Sequence, residues 1–211
     1  MPTSPYIHIQ TFVDYLLETR PASILDIGLG NGKLGFVARD LLDVMLGQRY
    51  RRKDWQIRID GVEIFPEYIQ GHQKLIYDNI FIGDAWTILP GLQSYEMIIL
   101  GDVLEHFTKD RAWAFLDVCM SRLTKHLILN IPLGDAWDQP EMYNNPYEKH
   151  QSVWTWEDLS PFVWKYKFFE IHPGTYSSLL IRKEDYAAFR YEQYLNDSRK
   201  PGNDAFSCQT P

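Results

Sequence analysis

Short apolar runs alternate with helix-like segments over the first 132 residues, and this rhythm limits the possible folds more than any other feature of the sequence. The strand-like runs are residues 23–28, 56–64, 79–85, 97–100 and 126–132. Apolar residues at helical spacing lie between these runs. Strands that alternate with helices form parallel sheets, because each helix carries the chain back across one face. The sequence therefore predicts an α/β fold with helices on both faces of a parallel sheet.

Two further segments carry a helical signature. Apolar residues at helical spacing over 9–17 predict a leading helix. Pro66 suits the first turn of another helix, which is predicted to run to about Tyr77. We expect these helices and all strands to belong to one domain over residues 1–183.

The alternation of strand and helix ends after residue 132. A long irregular segment covers 135–156. The strand-like runs 165–172 and 175–183 flank a Pro-Gly turn and predict an antiparallel hairpin. The remaining tail, 184–211, is predicted to be partly helical and then disordered from residue 196.

Charge and cysteine content exclude several functional classes. The 211-residue chain has a net charge of −7, and its one basic run, 49–55, is interpreted as a solvated loop, so no nucleic acid partner is expected. Cys119 and Cys208 belong to no Cys/His spacing, and no metal site is predicted. Neither a signal peptide nor an apolar run of about 20 residues is found, so we expect a cytoplasmic chain without a membrane partner.

The turn after the first strand is rich in glycine and raises three possible sites. A phosphate-binding P-loop ends in Gly-Lys-Ser/Thr, but the chain has Gly-Lys-Leu, so that pattern fails. Gly30, Gly32 and Gly35 match the G-x-G-x-x-G pattern of dinucleotide folds, whose ribose-binding acid follows about 20 residues on. The next acid at a strand end, Glu63, lies further along, which weakens this interpretation but leaves it open.

The same turn also matches D-x-G-x-G-x-G, formed by Asp26, Gly28, Gly30 and Gly32. Glycine lets a backbone turn sharply and approach a ligand closely. The pattern resembles the first motif of class I S-adenosylmethionine-dependent methyltransferases. The resemblance implies a three-layer, Rossmann-like fold with a mostly parallel seven-stranded sheet and a C-terminal antiparallel hairpin. It also implies S-adenosylmethionine as the cofactor, in contact with these four residues and Asn31.

Acidic residues at three further strand ends extend the resemblance. In the family, the acid after the second strand binds the ribose hydroxyls, and the acid after the third strand accepts a hydrogen bond from the adenine amino group. The stretch "GDVLEHF", residues 101–107, follows the fourth strand and resembles the D-x-x-E-H signature of the family's small-molecule branch. The residues implied to contact the cofactor at these strand ends are Glu63, Ile64, Gly83, Asp84, Ala85, Gly101, Asp102 and Val103.

Methyl transfer from a sulfonium is an in-line displacement, which needs an oriented nucleophile and often a base. Histidine suits the role of base near neutral pH. His106 follows the fourth strand and His150 lies in the irregular segment, so both are predicted to be catalytic. Glu105, Tyr143 and Tyr147 are predicted to contact the substrate.

The sequence thus predicts an enzyme that transfers a methyl group from S-adenosylmethionine to oxygen or nitrogen of a small-molecule acceptor. Two alternatives stay open. One is an NAD(P)-dependent oxidoreductase that uses the G-x-G-x-x-G pattern, and the other is a protein that binds S-adenosylmethionine without catalysing a reaction.

Overall fold

The structure is a computed structural model that describes residues 3–199. Its strands are β1 (Ser23–Ile27), β2 (Arg58–Glu63), β3 (Asn79–Ile82), β4 (Tyr95–Gly101), β5 (Leu123–Leu133), β6 (Lys165–Ile171) and β7 (Gly174–Arg182). They form one sheet in the order β3-β2-β1-β4-β5-β7-β6. Strands β1 to β5 pair in parallel, whereas β7 is antiparallel to both of its neighbours. The predicted seven-stranded, mostly parallel sheet with an antiparallel hairpin is confirmed.

Helices cover both faces of this sheet. They are α1 (Ile9–Thr19), α2 (Lys33–Arg39), α3 (Gly71–Ile76), α4 (Ala85–Ile88), α5 (Lys109–Arg122), α6 (Trp156–Leu159) and α7 (Lys183–Ser198). On one face, Phe12 of α1 and Leu34 of α2 belong to the same buried cluster. On the other face, Phe115 of α5 and Tyr186 of α7 share a second cluster. The molecule therefore has the three predicted layers.

The central strand β4 explains why the strand-like runs of the sequence are almost continuously apolar. Ile98 and Leu100 contribute to the core on one face, and Met97 and Ile99 contribute to the core on the other. All four side chains are fully buried. Successive residues of a strand point to opposite faces, so a strand covered on both sides requires apolar residues at every position.

The predicted helix from Pro66 to Tyr77 is wrong in its first half. Its first three residues form a single 3-10 turn, and α3 begins only after Gln70, which is extended (φ −115°, ψ −174°). The buried side chain of Gln73 accepts a hydrogen bond from the Gln70 amide and donates one to the Tyr68 carbonyl, each at 2.8 Å. These side-chain contacts separate the turn from the helix, and hydrophobic periodicity does not reveal them.

The segment between β5 and α6 is irregular, as expected, apart from a 3-10 turn at Pro146–Glu148. Helix α7 reaches Ser198, so the first residues of the stretch predicted to be disordered are helical instead. Arg190 of α7 pairs with Asp117 of α5 at 2.7 Å, which ties α7 to α5. The predicted disorder at 200–211 falls outside the described residues. Across residues 3–199, no helix combines the length and apolar character that crossing a membrane requires.

Candidate functional site

A cavity of about 590 Å³ opens at the carboxyl ends of β1, β2 and β4. Ligands of doubly wound α/β folds bind at this edge of the sheet. The predicted site residues that line the cavity are Asp26, Gly28, Gly30, Asn31, Glu63, Ile64, Gly83, Asp84, Ala85, Gly101, Asp102, Val103, Glu105, His106, Tyr147 and His150. Gly32 and Tyr143, both among the described residues, lie outside this lining. Gly32 caps the N-terminus of α2, and Tyr143 is exposed on the irregular segment.

The glycine turn between β1 and α2 forms one wall of the cavity. Gly28 has φ +69°, and a Cβ atom at this position would lie 2.8 Å from Cγ2 of Val103. Both the left-handed backbone and the close approach therefore favour glycine. The Gly28 amide donates to the Val62 carbonyl at 2.9 Å, and the Gly30 carbonyl accepts from the Gln73 side chain at 2.9 Å. These bonds hold the turn in place. Because Gly28 and Gly30 have no side chains, they present only backbone atoms to the cavity.

Asp26 is held by a neighbouring side chain. The Tyr77 hydroxyl donates to its Oδ2 atom at 2.5 Å, and both residues are buried. Burial raises the pKa of Asp26 to about 7, an effect that the Tyr77 hydrogen bond partly opposes. A Cβ atom at Gly35 would lie 2.2 Å from the Tyr77 hydroxyl. The third glycine of the G-x-G-x-x-G pattern therefore makes room for Tyr77.

Glu63 joins the end of β2 to the glycine turn. Its Oε2 atom accepts a hydrogen bond from the Gly30 amide at 2.9 Å, and its Oε1 atom accepts one from the Phe65 amide at 2.9 Å. The carboxylate is 4% exposed, and burial raises its pKa although these amides lower it. Glu63 therefore contacts the glycine turn although it lies 33 positions after Gly30 in the sequence.

Asp84 follows β3 and caps α4. Its Oδ1 atom accepts a hydrogen bond from the Trp86 amide at 2.9 Å, and its Oδ2 atom lies 3.5 Å from the guanidinium of Arg111. Because Oδ1 is engaged in the helix cap, Oδ2 is the oxygen that can accept a hydrogen bond from Arg111 or from a ligand.

Asp102 follows β4 in a left-handed backbone conformation, with φ +56°. A residue other than glycine rarely adopts this conformation, and such strain is typical of functional sites. The Tyr176 hydroxyl donates to its Oδ1 atom at 2.8 Å. Burial raises the pKa of Asp102, while hydrogen bonds from Ser4 and Tyr176 and the charge of Lys33 lower it. These contacts fix the carboxylate beside the cavity.

Glu105, His106 and His150 come together at the far end of the cavity. The two imidazole rings meet edge to face, with centroids 5.1 Å apart. Burial raises the pKa of Glu105 well above its usual value, and the nearby Asp102 and Glu148 carboxylates raise it further. Burial also lowers the pKa of His106 to about 4. Both predicted catalytic residues therefore lie beside the predicted substrate residue Glu105.

The irregular segment closes over the cavity through hydrogen bonds to both of its walls. The Tyr68 hydroxyl donates to Glu148 at 3.0 Å and accepts from the Asn145 amide group at 3.1 Å. On the other side, the backbone amides of Gln151 and Ser152 donate to the Glu105 carbonyl at 2.7 and 3.2 Å. We refer to residues 139–152 as the lid.

Further polar side chains line the cavity although no motif marks them. They include Ser4, Lys33, Tyr68, Arg111, Glu148 and Tyr176. Three of these six, Ser4, Glu148 and Tyr176, lie far in sequence from the strand ends that carry the motifs, on the N-terminal segment, the lid and the hairpin. Lys33 lies within the glycine motif, and Glu148 lies two residues before His150, so only these two had a neighbouring signal.

Sequence comparisons assign no family to the chain. No family model matches it. The chloroplastic/amyloplastic L-2 isozyme of alpha-1,4 glucan phosphorylase from Solanum tuberosum is 29% identical over 114 residues, which cover 53% of this chain. The match covers 12% of that enzyme, so it says nothing about the activity of this chain.

Structural comparison finds several methyltransferases. Magnesium protoporphyrin IX methyltransferase from Synechocystis PCC 6803, with bound SAH, has a TM-score of 0.57 at 15% identity, over 86% of this chain and 89% of that chain. A SAM dependent methyltransferase from Archaeoglobus fulgidus has a TM-score of 0.52 at 16% identity, over 82% and 94%. The N-methyltransferase NodS from Bradyrhizobium japonicum WM9 has a TM-score of 0.53 at 11% identity, over 83% and 93%. At these identities the likeness shows the fold, and this chain has the fold of those solved methyltransferases.

Proposed function

We propose that this chain is an S-adenosylmethionine-dependent methyltransferase that acts on oxygen or nitrogen of a small-molecule acceptor. The observation that carries this proposal is the cavity, where a bare glycine turn faces carboxylates at the ends of four neighbouring strands. A cationic ligand with ribose and amino groups needs such acceptors and needs no phosphate-binding site. The fold shared with solved methyltransferases gives further support.

The strand-end residues are assigned to parts of this cofactor. Both oxygens of Glu63 accept backbone amides, and a carboxylate has about four lone-pair positions, so we assign Glu63 to the ribose hydroxyls as well. Asp84, with Gly83, Ala85 and Ile64 nearby, is assigned to the adenine. The methionine end is assigned to the remaining cavity residues that the family resemblance implies, which are Asp26, Gly28, Gly30, Asn31, Gly101, Asp102 and Val103.

The bound cofactor supplies an electrophilic methyl group on a sulfonium. The chain's own part is to hold an acceptor in line with that methyl group, exclude water and take up a proton where the acceptor loses one. The lid, with Tyr147 facing the cavity, is assigned to the acceptor and to the exclusion of water. His106 and His150 are the imidazoles that lie at the same end of the cavity, beside Glu105.

An NAD(P)-dependent oxidoreductase is the second candidate, and one observation favours it. Glu63 contacts Gly30 directly, so its distance along the sequence no longer argues against a dinucleotide. The sheet argues the other way. The dinucleotide-binding fold has the strand order 3-2-1-4-5-6, whereas here an antiparallel β7 is inserted between β5 and β6.

Calorimetric titration of the protein with S-adenosylhomocysteine, and separately with NAD and NADP, tests the proposal. We expect saturable binding of S-adenosylhomocysteine and none of either dinucleotide. Binding of a dinucleotide alone would overturn the assignment in favour of the oxidoreductase. Transfer of labelled methyl from S-adenosylmethionine to a panel of small hydroxyl and amine compounds then separates an enzyme from a protein that only binds the cofactor.

A further inference from the structure

Three side chains of two ligand types, one carboxylate and two imidazoles, converge at the lid end of the cavity. One donor atom from each of Glu105, His106 and His150 lies within 4.8 Å of the other two. Glu105 and His106 follow β4, whereas His150 comes from the lid, so only the folded lid brings the set together. Within the described part of the chain, the Glu105 carboxylate forms no hydrogen bond with either imidazole.

The Glu105 carboxylate lacks the contacts that a buried acid normally has. The residue is 2% exposed, and within residues 3–199 neither of its carboxylate oxygens has a hydrogen-bond partner in another residue. An ionised carboxylate that is buried without a donor or cation costs several kcal/mol as an order of magnitude, and the raised pKa of Glu105 reflects this cost; buried carboxyl groups are usually hydrogen-bonded, paired with a charge or coordinated to a metal. This side chain therefore points to a cationic partner that is not part of the protein.

The two histidines present the nitrogen that a metal requires. Nδ1 of His150 lies 2.6 Å from the Trp137 carbonyl, and Nδ1 of His106 lies 3.2 Å from the Lys149 carbonyl. A carbonyl only accepts hydrogen bonds, so in the neutral imidazoles each Nδ1 carries the proton and each Nε2 carries a lone pair. Histidines that bind metals are typically oriented in this way, by a hydrogen bond from the second nitrogen to a carbonyl or carboxylate.

We propose that Glu105, His106 and His150 bind a divalent first-row transition-metal ion. Two imidazoles and one carboxylate, with positions left for water or a ligand, form a donor set typical of Fe(II), Mn(II), Co(II) and Zn(II) sites. Metal–ligand bonds of about 2.1 Å place the donor atoms roughly 3 to 3.5 Å from one another. Side-chain rotations that move the donor atoms by about 1 Å therefore close the site around an ion. Asp102 and Glu148, which interact electrostatically with Glu105, add negative charge around the ion. Mg²⁺ prefers oxygen donors and is expected to bind more weakly.

Binding of the metal alone tests this proposal and requires neither cofactor nor acceptor, so its outcome is separate from that of the proposed function. Untagged protein is treated with a chelator, dialysed and titrated with Zn²⁺, Co²⁺ and Mg²⁺ in a calorimeter. We expect one site per chain for Zn²⁺ and Co²⁺, with weaker binding of Mg²⁺. The visible absorption spectrum of the Co²⁺ complex reports nitrogen ligation.

Three single substitutions and one control identify the ligands. Glu105→Gln, His106→Ala and His150→Ala are each expected to weaken binding by at least the 10–100-fold that loss of a supporting residue typically costs. His150 lies on the lid, so its substitution leaves the core intact, and circular dichroism checks the fold of all variants. His172→Ala, at an exposed histidine outside the cavity, is expected to bind like the unaltered protein. Absence of a saturable site, or a site of equal affinity in folded Glu105→Gln and His150→Ala, would overturn the proposal.

Discussion

The Oε2 atom of Glu63 accepts a hydrogen bond from the backbone amide of Gly30 at 2.9 Å, across 33 positions of the sequence. This bond ties the end of β2 to the glycine turn that follows β1. It puts the carboxylate assigned to the ribose beside the backbone assigned to the rest of the cofactor.

Replacement of Glu63 by Ala is expected to weaken binding of S-adenosylhomocysteine by about 2 kcal/mol, or roughly 30-fold in Kd, because both ribose hydroxyls lose a charged acceptor. Glu63→Gln keeps the size of the side chain and one acceptor oxygen, so a smaller loss is expected. Calorimetry measures both, with Glu67→Gln at a nearby exposed position as the matched control. Unchanged affinity in folded Glu63→Ala would contradict the ribose assignment.

Replacement of Tyr77 by Phe is expected to lower the free energy of unfolding by about 1–3 kcal/mol, because the buried Asp26 carboxyl loses its hydroxyl donor. Urea denaturation at neutral pH measures the change. Tyr50→Phe, at a tyrosine that is 76% exposed, is the control and is expected to have no effect. Equal stability of the two variants would show that the Asp26–Tyr77 bond contributes nothing.

His8 is expected to make the protein less stable as the pH falls. The side chain is fully buried and stacks on Tyr176, and burial, together with the charge of Lys33, lowers its pKa to about 4. Between pH 6.5 and 4 the unfolded chain binds this proton and the folded chain does not. This contribution to stability is therefore complete above pH 6.5 and is lost on acidification, by about 3 kcal/mol at pH 4.

The measurement for His8 is urea denaturation of the unaltered protein and of His8→Phe at several values between pH 7.5 and pH 4. The stability of the variant relative to the unaltered protein should rise as the pH falls, because Phe has no proton to bind. His172→Phe, at an exposed histidine, serves as the reference. A difference between His8→Phe and the unaltered protein that does not change with pH would refute the linkage.

Replacement of Tyr68 by Phe is expected to loosen the lid, because Glu148 loses a donor and Asn145 loses an acceptor. A net hydrogen bond contributes about 1 kcal/mol to stability. Amide hydrogen exchange of the 3-10 turn Pro146–Glu148 is therefore expected to accelerate roughly 5-fold. Mass spectrometry of lid peptides measures this rate, with the exposed Tyr166→Phe on β6 as the control. The same exchange in both variants would mean that other contacts hold the lid.

Much of the fold could be predicted from local patterns in the sequence. The apolar runs predict β1 to β5 because strands covered on both faces need apolar residues at every position. The Pro-Gly turn predicts the hairpin of β6 and β7 for a local reason as well. The helix after Pro66 is the exception, since hydrogen bonds of the Gln73 side chain with Gln70 and Tyr68 decide where α3 begins.

The candidate site likewise has parts that local sequence patterns predict and parts that they do not. The glycines and the strand-end acids could be placed from the sequence, because the carboxyl ends of parallel strands meet at one edge of the sheet. Three contacts could not be placed in this way: the contact of Glu63 with Gly30, the hydrogen bond of Tyr176 to Asp102, and the approach of Glu105 to His150. Each of these joins segments that are distant along the chain, and their approach depends on sheet order and on how the lid folds. The sequence alone therefore determined which chemical groups the strand ends bring to the cavity, and the tertiary structure decided which other groups join them and which of them touch, because only packing sets distances between remote segments.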